Sequence, residues 1–104
     1  EQAIRFNVNV VPINQSSMDI ELKFSEPVYI SIDLDGLDPA YAPGVSHPEP
    51  GGLSTRDIIN FISNIEGEII GADIVEYNPY KDINEITAIT AAKLLKELMG
   101  KIIK

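Results

Sequence analysis

At 104 residues, with 16 acidic residues against 8 basic and a formal net charge of −8, the chain is one small domain or part of a larger one. It lacks the basic surface that a nucleic-acid partner requires. The absence of cysteine excludes disulfides and thiolate metal sites, and no run approaches the roughly 18 apolar residues of a membrane span. A hydrophobic content of 44% is that of a folded chain. With no charged, apolar, small-residue leader at its start, an intracellular, cytoplasmic protein with no membrane partner is expected. The acidic excess is chiefly a solvated surface, and it is compatible with binding metal ions or small cations.

Glu1 to Phe6 has no start signal and resembles the last turn of a helix. Asn7 to Val11 alternates polar and apolar residues before Pro12, which predicts a short strand. Asn14 to Met18 is turn-like, and Asp19 to Phe24 alternates over a length that fits either a strand or irregular chain. Glu26-Pro27 then punctuates the chain ahead of Val28-Tyr29-Ile30-Ser31-Ile32. That run has the β-branched and aromatic bias of a strand buried on both faces.

Asp33 and Asp35 follow where this strand should end. Carboxyl ends of parallel strands are where ligands bind in open α/β sheets, and a D-x-D pair there can converge its oxygens on a hard divalent cation. The plainer reading is a solvated turn, since Asp readily bonds its own backbone; on spacing alone both stay open. The loop to Leu53 holds Pro39, Pro43, Pro48 and Pro50, which limits the entropy of the unfolded chain.

Ser54 and Asp57 are placed for a capping box. Ile58, Phe61, Ile62 and Ile65 make one apolar stripe, and Gly67 stands as its C-terminal glycine. Glu68 to Glu76 predicts a second strand with apolar residues on both faces, ended by Glu76. A final helix is expected from Asn84 to about Met99, with Ala88, Ala91, Ala92, Leu95, Leu98 and Ile102 on one side and Gly100 ending or fraying it. Strand, loop, helix, strand, loop, helix is the order of a parallel sheet packed with helices. Three strands and two helices leave such a sheet short of neighbours, so the chain reads as incomplete.

The stretch Ser31-Ile32-Asp33-Leu34-Asp35-Gly36-Leu37-Asp38-Pro39, with Ala42-Pro43-Gly44 and Pro48-Glu49-Pro50-Gly51-Gly52-Leu53, resembles the signature of the ureohydrolase family of arginases, agmatinases and formiminoglutamases. Asp73-Ile74-Val75-Glu76-Tyr77-Asn78-Pro79 and the helix containing Ile86-Thr87-Ala88 resemble its later segments. The resemblance implies an α/β chain: the C-terminal part of a three-layer α/β/α fold with a mostly parallel, arginase-like sheet. Residues 1–104 would then be a C-terminal fragment of a single ureohydrolase domain.

By the same resemblance the whole protein would use two Mn²⁺ ions and a hydroxide to cleave a guanidinium carbon–nitrogen bond and release urea. Asp33 and Asp35 would be the metal ligands and catalytic residues, one of them bridging, and Glu76 would receive the small cationic guanidinium substrate. Asp38 resembles a turn-forming partner of Pro39. His47, the single histidine, stands where a threonine is common and reads as pocket wall or bystander ahead of metal ligand. The Pro-Glu-Pro-Gly-Gly loop resembles agmatinases, implying conversion of agmatine to putrescine in polyamine biosynthesis, with arginase or formiminoglutamase as the alternatives. Ureohydrolases commonly form trimers or hexamers.

The family's G-G-D-H and D-x-H-x-D segments, which carry its other ligands, are absent from these residues. The fragment alone is therefore expected to be inactive and to self-associate through bare edges and faces. Two readings from other classes stand beside this one. A haloacid-dehalogenase-type phosphatase also has a strand-D-L-D-G motif, but Leu37 is the wrong residue for it and Asp38-Pro39 goes unexplained. A non-catalytic metal-binding or assembly module is the other.

Overall fold

The computed structural model describes residues 9–12 and 22–103. Strand β1 (Val28–Asp33) runs into a 3-10 turn at Leu34–Gly36, and a loop then leads to helix α1 (Thr55–Asn64). Strand β2 (Ile69–Val75) runs into a second 3-10 turn at Pro79–Lys81, followed by helix α2 (Ile86–Ile103). β1 and β2 pair in parallel, with Ile30 opposite Ala72, Ser31 opposite Asp73, Ile32 opposite Ile74 and Asp33 opposite Val75. The βαβα order expected from the sequence is present.

The core lies on one face of this strand pair. Ile32 and Leu34 meet Ile59 and Ile62 of α1 and Leu94 and Leu98 of α2, with Ile30, Ala72, Ile74 and Ala91 packed against them. Removing side chains such as Leu94 and Leu98 from water stabilises the fold by roughly 1.5–3 kcal/mol each. The long loop belongs to this core: Leu37, Ala42 and Val45 are buried in it. A loop that drives apolar anchors into the interior is a fixed wall rather than a loose connection.

The opposite sheet face is uncovered within these residues, in keeping with a chain expected to leave faces bare. Tyr29, Ser31 and Asp33 are exposed there. The Tyr29 hydroxyl donates to Asp73 Oδ2 at 2.9 Å and the Ser31 hydroxyl to Asp73 Oδ1 at 2.6 Å. Alternation of side chains along a strand puts these polar groups on one side and Ile30 and Ile32 on the other. The apolar composition concealed a half-polar pattern.

The expected stripe of α1 holds, with Ile62 and Ile65 buried, Ile58 packed against the core and Ile59 added to it, whereas α2 is rotated from its expected stripe. In α1 the buried residues are Ile59 and Ile62, while Ile58 and Phe61 are half-buried. In α2 they are Thr87, Leu94 and Leu98, while Leu95 and Ile102 are exposed. α2 is apolar on several sides, so its pattern left the phase open; packing against β2 and α1 chose it. The helix also starts later than expected, because Asn84 and Glu85 have φ of 50° and 61°, outside helical space. It continues through Gly100 to Ile103.

The capping box of α1 is present in both directions, Asp57 N–H donating to Ser54 Oγ at 3.0 Å and Ser54 N–H to Asp57 Oδ2 at 2.9 Å. Gly67 has another task than closing that helix. At φ +141°, a Cβ there would sit 2.9 Å from the Phe24 carbonyl oxygen, so the glycine admits the chain at 22–24. That segment makes only an isolated parallel bridge, Lys23 to Glu66. Residues 9–12 have no regular structure, where a strand was expected for Asn7 to Val11; Asn7 and Val8 lie outside the described residues. The expectations for Glu1 to Phe6, Asn14 to Met18 and the start of the Asp19 to Phe24 segment lie outside the described residues.

Candidate functional site

The parallel register places two acid-bearing strand ends side by side. Asp33 is the last residue of β1 and lies opposite Val75, the last of β2. Glu76 is the next residue, so Asp33 and Glu76 emerge at one end of the sheet.

At the β1 end, buried Leu34 anchors the 3-10 turn from beneath, and Asp35 N–H donates to Asp33 Oδ1 at 2.8 Å. Asp33 therefore caps the turn that carries Asp35. Asp35 Oδ1 is buried and has no hydrogen-bond partner. A buried carboxylate oxygen without a donor is costly, and coordination to a hard cation is one way to satisfy it. The donor set fits manganese, which favours oxygen ligands. No group of three His, Cys, Asp or Glu among the described residues is arranged to hold a metal ion.

Asp38 closes the loop that follows. Its Oδ1 accepts from Ala40 N–H at 2.9 Å and its Oδ2 from Gly51 N–H at 2.8 Å. The N–H of Ala40, then those of Gly51 and Gly52, hold its carboxyl below its ordinary value against the opposing effect of burial. This is the turn-forming role expected for it, extended across 13 residues. Gly52 is where the two arms of the loop touch: a Cβ there would lie 2.6 Å from Asp38 N.

At the β2 end, Glu76 is exposed and has φ +74°. A non-glycine residue in this left-handed region costs of order 1–3 kcal/mol and persists only where its surroundings impose it. Those surroundings are well defined. Asn78 N–H donates to Gly44 O at 2.7 Å, and Asn78 Nδ2 donates to Ser46 Oγ at 3.1 Å. The Tyr77 hydroxyl donates to Asp82 Oδ2 at 2.9 Å.

Asp82 also accepts from Thr87 N–H through Oδ1 and from Ala88 N–H through Oδ2, at 2.9 and 3.0 Å. It thus caps α2 from outside the helix, satisfying N–H groups left open at its first turn. Burial opposes its ionisation, but the N–H groups of Thr87 and Ala88 and the hydroxyls of Thr87 and Tyr77 outweigh it and hold the carboxyl well below the usual range. Burial, then the bond to Asp82 and the charges of Asp82 and Glu85, push the Tyr77 hydroxyl up. Thr87 is fully buried, and Gly44 N–H donates to its Oγ1 at 2.7 Å.

His47 is exposed, one residue beyond the Ser46 anchor. It therefore lies on the loop tied to the Glu76 end of the sheet. Asp82, Asn78 and Thr87 were not singled out from the sequence as site-building residues. The Asn78-Pro79 turn was the available signal for one of them. Asp82 gave none, because it stands four residues before α2 instead of directly before it.

Comparison with known proteins accounts for this arrangement. The Arginase family matches residues 8–100, and the chain belongs to it. The fold is α/β with a parallel sheet, and its structural neighbours have the arginase fold.

Arginase 1, mitochondrial, from Oryza sativa is 49% identical over all of the chain, which covers 33% of that relative. The chain spans about a third of the length of the curated relatives it matches first. The solved arginase of Medicago truncatula superposes with a TM-score of 0.88 at 48% identity, covering 97% of this chain and 34% of that one. The agmatine ureohydrolase of Thermoplasma volcanium gives 0.67 at 46% identity, covering 73% and 26%. A triple mutant of the T. brucei arginase-like protein, solved with bound Mn²⁺, gives 0.75 at 40% identity, covering 81% and 30%. The Oryza sativa and Medicago truncatula arginases thus match more of the chain than the agmatine ureohydrolase does. No helix among the described residues is long and apolar enough to cross a membrane.

Proposed function

We propose that this chain is the C-terminal part of a ureohydrolase that releases urea from a guanidinium substrate, with Asp33 and Asp35 among the ligands of a two-manganese centre. The observation that carries the proposal is the shared strand end: the parallel register brings Asp33 and Glu76 out at the same end of the sheet, beside an Asp35 oxygen that is buried without a donor. When bound, paired metal ions would supply a water of lowered pKa and an electrophilic environment for the developing charge.

The chain's own residues do the rest. Asp33 orients Asp35 by accepting its N–H. Glu76 receives the guanidinium, a planar and permanently charged group that a carboxylate pairs with through parallel hydrogen bonds. Held in that way, the guanidinium carbon lies in one orientation for attack, and placement of this kind is a large part of the rate. His47 lines the approach. The G-G-D-H and D-x-H-x-D ligand segments belong to the rest of the whole protein, which would assemble as a trimer or hexamer.

Arginine is the better supported substrate, because the plant arginases named above match nearly the whole chain and the agmatine ureohydrolase about three quarters of it. Agmatine, giving putrescine, is the second reading, favoured by the Pro48-Glu49-Pro50-Gly51-Gly52 loop. Urea release by the full-length protein with Mn²⁺ tests both. Turnover of arginine well above agmatine is expected, the reverse would select the second reading, and no urea from either would end the proposal.

A further inference from the structure

Three observations meet around Glu76. Its backbone is left-handed, at φ +74°. The residues after it are gripped from two directions, Asn78 by the loop at Gly44 and Ser46 and Tyr77 by Asp82. Both oxygens of Asp82 are engaged by the first turn of α2, so its carboxylate has a fixed direction in which to accept the Tyr77 hydroxyl. The Tyr77 ring is thereby tied to the start of α2.

We propose that Asp82 is a positioning residue for Glu76: through Tyr77 it couples the start of α2 to the left-handed residue that presents the Glu76 carboxylate. The helix is anchored in the core by Leu94 and Leu98, so the clamp refers the substrate-receiving acid to a rigid element. Without it, Glu76 is held by Asn78 alone on that side and relaxes toward ordinary backbone angles, moving its carboxylate. This deepens the reading of Glu76 given above and rests on it.

Tyr77→Phe in the full-length, manganese-loaded protein removes one hydroxyl and leaves the Asp82 cap of α2 in place. The expected result is about a tenfold loss of kcat/KM with a raised KM, below the roughly hundredfold that a 1 Å misplacement can cost. Manganese affinity and melting temperature should stay unchanged. Asp82→Asn, which keeps one acceptor, should move the same kinetic constants in the same direction.

A double-mutant cycle tests the route. In a Glu76→Gln background, Tyr77→Phe should add no further loss. Equal losses in both backgrounds, or none in the wild type, would overturn the clamp. Full activity in Glu76→Gln itself would remove the substrate assignment, and the clamp with it.

Discussion

The two strand ends are built on one plan and stabilised in opposite ways. Each strand delivers an acid, passes through a three-residue 3-10 turn and enters a connection closed by an aspartate. At the β1 end the functional acids are themselves the structure: Asp33 caps the turn that carries Asp35, and Asp38 closes the loop. At the β2 end Glu76 carries backbone strain, and its neighbours Tyr77 and Asn78 make the holding contacts. Under the proposed function the contrast teaches that a carboxylate fixed as a turn cap would also be fixed as a metal ligand. Glu76 is held through its neighbours, which under the same proposal would leave its own oxygens for the substrate.

The largest effect should come from breaking the β1 end. Asp35→Asn in the full-length protein should lower activity and manganese content together, by at least about a hundredfold in activity, the upper range for losing mere supporting partners of metal ligands. Metal analysis beside a urea assay checks this, and lost activity with full metal content would separate Asp35 from the centre.

The next effect is on stability. Gly52→Ala drives a methyl group into the Asp38 backbone at 2.6 Å and should cost about 1–3 kcal/mol in denaturant unfolding. Gly36→Ala, in the same connection, meets nothing within 4 Å and should stay within about 0.5 kcal/mol of wild type. Equal costs at the two glycines would contradict the view of the loop as a packed wall.

A smaller effect, in acid, sharpens the comparison of the two closing aspartates. Both carboxyls are held below their ordinary values, Asp82 further than Asp38. A depressed folded pKa contributes stability that is complete above the unfolded value, near ~4. That contribution drains as pH falls through the folded value. Melting temperature followed from pH 7 into acid should therefore decline below about pH 4 in the wild type. The decline should be shallower in Asp82→Asn, which starts lower at neutral pH. An unchanged acid limb would show that Asp82 is not ionised against the α2 N–H groups.

Much of this arrangement was legible in the chain. Ser54 and Asp57 announce α1 because a capping box is a local device, and both of its bonds are formed. The strand-end placement of Asp33, Asp35 and Glu76 followed from apolar runs that stop at an acid. What escaped depends on tertiary contact. The phase of α2 was hidden because its apolar residues spread around the helix, and buried Thr87 does not look like a core residue until Gly44 donates to it. The left-handed turn at Glu76 has no sequence signature, since no glycine or asparagine marks it. Asp82 caps from four residues away, beyond any local pattern. The polar sheet face escaped because Tyr29 and Ser31 sit within an otherwise apolar run, and their shared partner Asp73 is more than forty residues distant.

The most direct test is anomalous diffraction at the manganese edge from crystals of the full-length protein soaked with a guanidinium substrate analogue. The expected result is a pair of metal peaks within ligating distance of Asp33 and Asp35, with the analogue's guanidinium on Glu76. Well-occupied peaks away from both aspartates, or a guanidinium bound without Glu76, would contradict the account.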